Sequence, residues 1–138
     1  MKILVGYLKS PEGQAALARA IEEARLRGWQ LVVLHSMRGG TRDESEQVLE
    51  YREELEEIHK RLEDEGIDYE VRQLVRGRTP AQDLIEFSRE EDVELIVIGI
   101  RRRSPVGKLV LGSNAQDILL QADCAVLSVK AAIEEEGG

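Results

Sequence analysis

Leu95-Ile96-Val97-Ile98 is the most continuously apolar run in the chain. Four unbroken apolar residues are too few for a helix. They fit a strand covered on both faces, as the central strands of parallel sheets are. Reading outward, Ile3-Leu4-Val5, Leu31-Val32-Val33-Leu34 and Ala125-Val126-Leu127-Ser128-Val129 have the same β-rich character. Ile67, Tyr69, Val71 and Val75 instead alternate with polar residues, which predicts a strand with one wet face or a place at the sheet edge.

Helical stretches separate these runs. Ser10-Pro11 reads as an N-cap followed by proline at the first helical position. Ala16, Leu17, Ala20, Ile21 and Ala24 then form an apolar stripe, and Gly28 is the natural stop. Arg38 to Glu44, with Gly39-Gly40 inside it, predicts a loop. The next helix carries Val48, Tyr51, Leu55, Ile58 and Leu62 and ends at Gly66, with Glu53, Glu54, Glu56 and Glu57 as a solvated face. The stripe lasts barely two heptads, so a helix packed on a sheet explains it better than a coiled coil. Thr79-Pro80-Ala81-Gln82 is a capping box that opens a third helix, and Ser113-Asn114-Ala115-Gln116 predicts a second box opening a fourth. The order β-α-β-α-β-α-β-α-β predicts a three-layer α/β/α fold around a five-stranded parallel sheet. Ligands of such sheets bind beyond the carboxyl ends of the strands where strand order reverses. For the order 3-2-1-4-5 the loops after the first and fourth strands matter most.

Composition narrows the function. At 138 residues, 42% hydrophobic and 33% charged, the chain has the size and apolar content of one folded domain, assigned to residues 1–131, with 132–138 as a flexible tail. With 27 acidic against 19 basic residues the net charge is −8, which argues against nucleic acid as a partner. The lone Cys124 excludes an internal disulfide or a cysteine-rich zinc site, and His35 and His59 are too few for a histidine metal centre. No apolar run approaches 18 residues, and no signal-peptide pattern opens the chain, so a cytoplasmic protein with no membrane partner is expected.

One segment departs from the average. From Arg101 to Gly112 there are four basic residues (Arg101, Arg102, Arg103 and Lys108) and no acid, so removing these four charges from −8 leaves −12 on the rest. The whole connection from Gly99 to Ser113 is long for a strand-to-helix loop. Arginines offer bidentate donors to phosphate, glycines admit close backbone approach, and Gly112-Ser113 stands at a helix start where free amides favour an anion. The same residues also fit a tight turn, an N-cap and arginines that answer the protein's own acids. Neither a P-loop nor a dinucleotide fingerprint is present: Leu109 follows Gly107-Lys108 where Ser or Thr is required, and no G-x-G-x-x-G follows the first strand.

At Gly99 through Val129 the sequence resembles the universal stress protein family, and the resemblance extends across essentially the whole chain. That family's signature is a glycine, two residues, a second glycine, nine residues, then Gly-Ser or Gly-Thr. Gly99 fits the first glycine, and Arg103 to Leu111 are the nine residues leading to Gly112-Ser113. Leu119 to Val129 and Leu34-His35 also look like the family's last helix and strand and its second-strand ending. The resemblance implies the adenine nucleotide alpha-hydrolase-like fold with order 3-2-1-4-5, a homodimer through the last strand, and a stress-response regulatory module with a protein partner. It further implies ATP or AMP as ligand, with Mg2+ only alongside the nucleotide. The implied nucleotide-binding set is Tyr7, Leu8, Ser36, Gly99, Arg102, Arg103, Gly112, Ser113 and Asn114. Two positions depart from the pattern: Arg102 stands at the second glycine, and Leu8 stands where the family carries an acid for the nucleoside. The alternatives are a nucleotide-free dimeric scaffold whose arginines engage acidic partners, and an enzyme with at most slow ATP hydrolysis.

Other reactive residues have plainer readings. Cys124 is expected as a small buried hydrophobe, His35 as a structural histidine, and His59 as a solvent-facing one. Trp29, next to the helix stop Gly28, is expected to cap the core edge.

Overall fold

The computed structural model describes residues 1–8, 10–37, 42–75, 78–102, 109–110 and 112–131. The elements are β1 (Lys2–Gly6), α1 (Pro11–Arg27), β2 (Gln30–Met37), α2 (Arg42–Glu65), β3 (Tyr69–Val75), α3 (Pro80–Glu90), β4 (Leu95–Arg102), β5 (Leu109–Val110), α4 (Ser113–Gln121) and β6 (Ala125–Lys130). The tail assigned to 132–138 lies outside the described residues, as do Arg103 to Lys108.

Five strands pair in parallel in the order β3-β2-β1-β4-β6, which is the expected 3-2-1-4-5 arrangement. Val5 stands between Val33 and Val97, so β1 is central and the order reverses between β1 and β4. Residues of alternating parity feed two cores. Ile3, Val5, Leu31, Val33 and Val97 pack with Leu17 and Ile21 of α1 and Leu55, Ile58 and Leu62 of α2. Leu4, Val32, Leu34, Ile96 and Ile98 pack with Leu84, Ile85 and Phe87 of α3 and Ile118 of α4. Each such side chain contributes about 1.5–3 kcal/mol when fully buried, which is why the uninterrupted apolar runs became central strands. β3, the alternating one, lies at an edge.

The helix boundaries follow local chemistry with two exceptions. Ser10 accepts from the Gly13 amide, with proline at the first helical position. Thr79 and Gln82 form the reciprocal capping box. Gly28, in the left-handed region with φ 67°, closes α1 through a bond from its amide to the Ala24 carbonyl. The expected box at Ser113 is not formed: Gly112 is the N-cap residue, with no side-chain bond, and Ser113 is already helical. A serine inside the first turn cannot reach back over the orphan amides as a cap does. The expected loop through Glu44 is also shorter, because α2 starts at Arg42; Arg38 to Thr41 lie outside the described residues.

Part of the long connection after the fourth strand is strand. β4 continues through Arg102, and Arg101 and Arg102 pair antiparallel with Val110 and Leu109. β4 outruns its parallel neighbours, since β1 pairs with it only to Val97 and β6 only to Ile100. β5 takes up ladder positions that this overhang leaves open.

Candidate functional site

A cleft of about 90 Å³ lies at the carboxyl ends of β1 and β4, where the strand order reverses. Leu34, Val97, Ile98 and Ile118 give it apolar walls, and Glu12, Ser36 and Asn114 are its polar side chains. Two glycines shape it. A β-carbon on Gly99 would stand 2.1 Å from the Glu12 carbonyl oxygen, and one on Gly13 would stand 2.1 Å from the Leu8 carbonyl oxygen. The backbone entering α1 is therefore pressed against α1, and the first turn of α1 against the end of β4.

Glu12, in the first turn of α1, lines this cleft, and its Oε2 is buried without a hydrogen-bond partner among the described residues. Ser36, near the end of β2, donates its hydroxyl proton to Asp83 Oδ2 in the first turn of α3. Asp83 is 1% exposed, and its Oδ1 also has no partner among the described residues. Asn114 Oδ1 accepts from the Ala81 amide at 3.3 Å, which ties the start of α4 to the start of α3. α4 thus begins at the cleft with its N-cap lacking any side-chain bond, an arrangement that favours an anion.

The residues selected from sequence are distributed unevenly around this geometry. Tyr7, Leu8, Ser36, Gly99 and Asn114 line the cleft. The Tyr7 side chain is buried in the α1–α2 core, where its hydroxyl donates to Glu54 Oε2 at 3.0 Å. Leu8 is 52% exposed. Gly112 and Ser113 stand at the open start of α4. Arg101 is exposed; the Arg102 side chain and all of Arg103 lie outside the described residues. Glu12 and Asp83 were not selected. Glu12 was hidden by its place in a helical first turn, four positions beyond Leu8. Asp83 was hidden because it meets Ser36 across 47 residues of sequence.

The remaining candidates have structural roles. His35 is buried beside Tyr7, with ring centroids 6.3 Å apart, and burial pushes its imidazole below the usual 6.5 despite an opposing effect of Glu54. His59 is exposed but pairs through Nδ1 with the Tyr69 hydroxyl, so it is not simply solvated. Trp29 packs at the core margin beneath the Arg27 guanidinium, 5.0 Å from its ring. Cys124 is half-buried against the α3–α4 core, and burial raises its thiol pKa, which is the wrong direction for a nucleophile. Among the described residues no group of three His, Cys, Asp or Glu could hold a metal.

Fold and cleft together define a doubly wound α/β protein with a cleft at its topological switch point, the place where sheets of this kind bind small ligands. The family model for the universal stress protein family matches residues 1–130. A universal stress protein of Mycolicibacterium smegmatis is 40% identical over 128 residues, covering 93% of this chain and 96% of that one. The structure of a universal stress protein from Archaeoglobus fulgidus superposes with a TM-score of 0.82 at 43% identity, covering 94% of this chain and 98% of that one. A structure from the same organism, solved in complex with dAMP, gives 0.76 at 37% identity with the same coverage. The chain belongs to the universal stress protein family.

Proposed function

We propose that this chain is a stress-response regulatory module of the cytoplasm that binds an adenine nucleotide, AMP or ATP, in the cleft between β1 and β4. The observation that carries this reading is Glu12, a residue of the cleft lining whose buried Oε2 is an acceptor without a partner among the described residues. Leaving such a group unsatisfied costs about 1–3 kcal/mol, and a ribose hydroxyl would offset that cost. Glu12 then supplies the acid that Leu8 does not. The purine lies against the end of β2 at Ser36, and the phosphates lie toward Gly99, the start of α4 at Gly112–Asn114, and Arg102 and Arg103. Mg2+ enters only with the phosphates. The related protein from Archaeoglobus fulgidus in complex with dAMP supports this ligand class.

The same reading includes a homodimer through β6. That strand pairs with β4 on one side, and its Leu127 and Val129 are only partly buried. Exposed Leu119 and Leu120 lie on the preceding helix.

Calorimetry with AMP and ATP tests the ligand, with mass spectrometry of the purified protein for a retained nucleotide. Binding tighter than about 1 mM, about −4 kcal/mol, is expected. Absence of binding by both nucleotides at that concentration rejects the nucleotide reading and favours a ligand-free scaffold. Sedimentation should give twice the chain mass.

A further inference from the structure

Tyr7, the first residue past β1, is common to two cavities. It lines the switch-point cleft and also a cavity of about 300 Å³ between α1 and α2, whose walls include Gln14, Leu17, Glu54 and Ile58. No other described residue lines both. The Tyr7 backbone belongs to the sheet, since its amide donates to the Leu34 carbonyl at 2.8 Å. The residue is 5% exposed and packs in the α1–α2 core. At the tip of its ring the hydroxyl donates to Glu54 Oε2 of α2 at 3.0 Å, and Gln14 Nε2 of α1 donates to it at 3.5 Å. A phenol hydroxyl has one proton, so this bond commits its donor to α2. Further along α2, His59 pairs with Tyr69 and Glu65 with Arg25, both away from the cleft lining. Of these three contacts, the one made by Glu54 ends on a cleft residue.

We infer that Glu54 is a positioning residue for the cleft: through its bond to Tyr7 it holds the end of β1 in place for the ligand, so that occupancy of the cleft and anchoring of α2 are coupled. This rests on the cleft being an adenine nucleotide site. Glu54 does not line the cleft itself. Leu8, next in the chain after Tyr7, does line it, and its carbonyl is packed against Gly13 of α1. A shift of Tyr7 therefore moves the cleft wall. A wall fixed before the ligand arrives removes the cost of ordering it on binding. The coupling is reciprocal: if the bond strengthens nucleotide binding, the nucleotide strengthens the bond by the same factor.

The test is calorimetric titration of the full chain with AMP, together with amide hydrogen exchange of the free and AMP-saturated protein. Both are done on the wild type, Glu54→Ala and Glu54→Gln. Glu54→Ala removes the acceptor and should weaken AMP about threefold or more, the scale of one hydrogen bond. Glu54→Gln keeps an acceptor oxygen for Tyr7 and should stay within about twofold of the wild type. In the wild type, AMP should slow exchange in α2 around Glu54 as well as in the cleft segments. In Glu54→Ala the α2 protection should disappear. An unchanged AMP affinity in Glu54→Ala overturns the inference and leaves the nucleotide site standing. Equal losses in the two variants overturn it too, because they trace the effect to the charge of Glu54 and not to the bond. Protection by AMP that never reaches α2 in the wild type does the same. Failure of AMP to bind the wild type overturns the proposed function, and this inference with it.

Discussion

The carbonyl oxygen of Glu12 lies over the α-carbon of Gly99, so close that a β-carbon there would stand 2.1 Å from it. The first glycine of the family signature is therefore required by the packing of α1 on β4, whatever ligand the cleft takes. Gly99→Ala should destabilise the protein by about 1–3 kcal/mol or more, because the obstacle is backbone and cannot rotate away. Chemical denaturation measures this. Gly13 sets up a sharper contrast, since alanine in a helix ordinarily gains about 0.5–1 kcal/mol over glycine. The Leu8 carbonyl, 2.1 Å from the new β-carbon, should reverse that sign.

Glu12 separates binding from stability. If its buried Oε2 receives a ribose hydroxyl, Glu12→Ala should weaken AMP about tenfold, near 1.4 kcal/mol. Folding stability should not fall, because the lost oxygen has no partner among the described residues. Parallel calorimetry and urea unfolding check both halves. Unchanged affinity would remove Glu12 from the site.

Two helix starts that look alike in sequence should respond differently. Thr79→Ala deletes an observed bond to the Gln82 amide and should cost about 1 kcal/mol. Ser113→Ala deletes no cap bond and should stay within about 0.5 kcal/mol of wild type. A loss at Ser113 as large as that at Thr79 would mean that its hydroxyl does cap α4.

His35 predicts a pH dependence of stability. Burial lowers its pKa in the folded protein, so between the usual 6.5 and that lower value the unfolded chain binds a proton that the folded chain refuses. Its contribution to stability is thus present above about 6.5 and is lost as the pH falls toward the folded value. Unfolding midpoints measured downward from pH 7.5 should decline through this window, and His35→Gln should flatten the decline. An equal slope in the variant would assign it to other groups.

Much of the fold was legible in short stretches of sequence. The run Leu95–Ile98 announced a central strand, the alternation from Ile67 to Val75 announced one wet face or an edge, and Ser10, Gly28 and Thr79 marked helix ends that the structure reproduces. These features depend on backbone periodicity and on hydrogen bonds spanning three or four residues, so the neighbours in sequence are also the partners in space.

The site was legible in place but not in chemistry. The switch-point rule located the cleft after β1 and β4, and Ser36, Gly99 and Asn114 are among the residues that line it. The acid in the cleft lining, however, is Glu12 rather than a residue at position 8, and Ser113 is not a cap. Arg101 and Arg102 are strand residues paired with Val110 and Leu109.

The sequence by itself determined the order of the four helices and the five parallel strands, the helix ends at Ser10, Gly28 and Thr79, and the contrast between an acidic body and a basic segment after the fourth parallel strand; the short β5 was not foreseen. Tertiary structure alone decided that Gly99 makes room for the Glu12 carbonyl, that Glu12 Oε2 is buried without a partner among the described residues, and that Ser36 gives its proton to Asp83. Those relationships join residues 47 to 87 positions apart. They exist only once two helices and three strands have packed, and no local propensity encodes which atoms then meet.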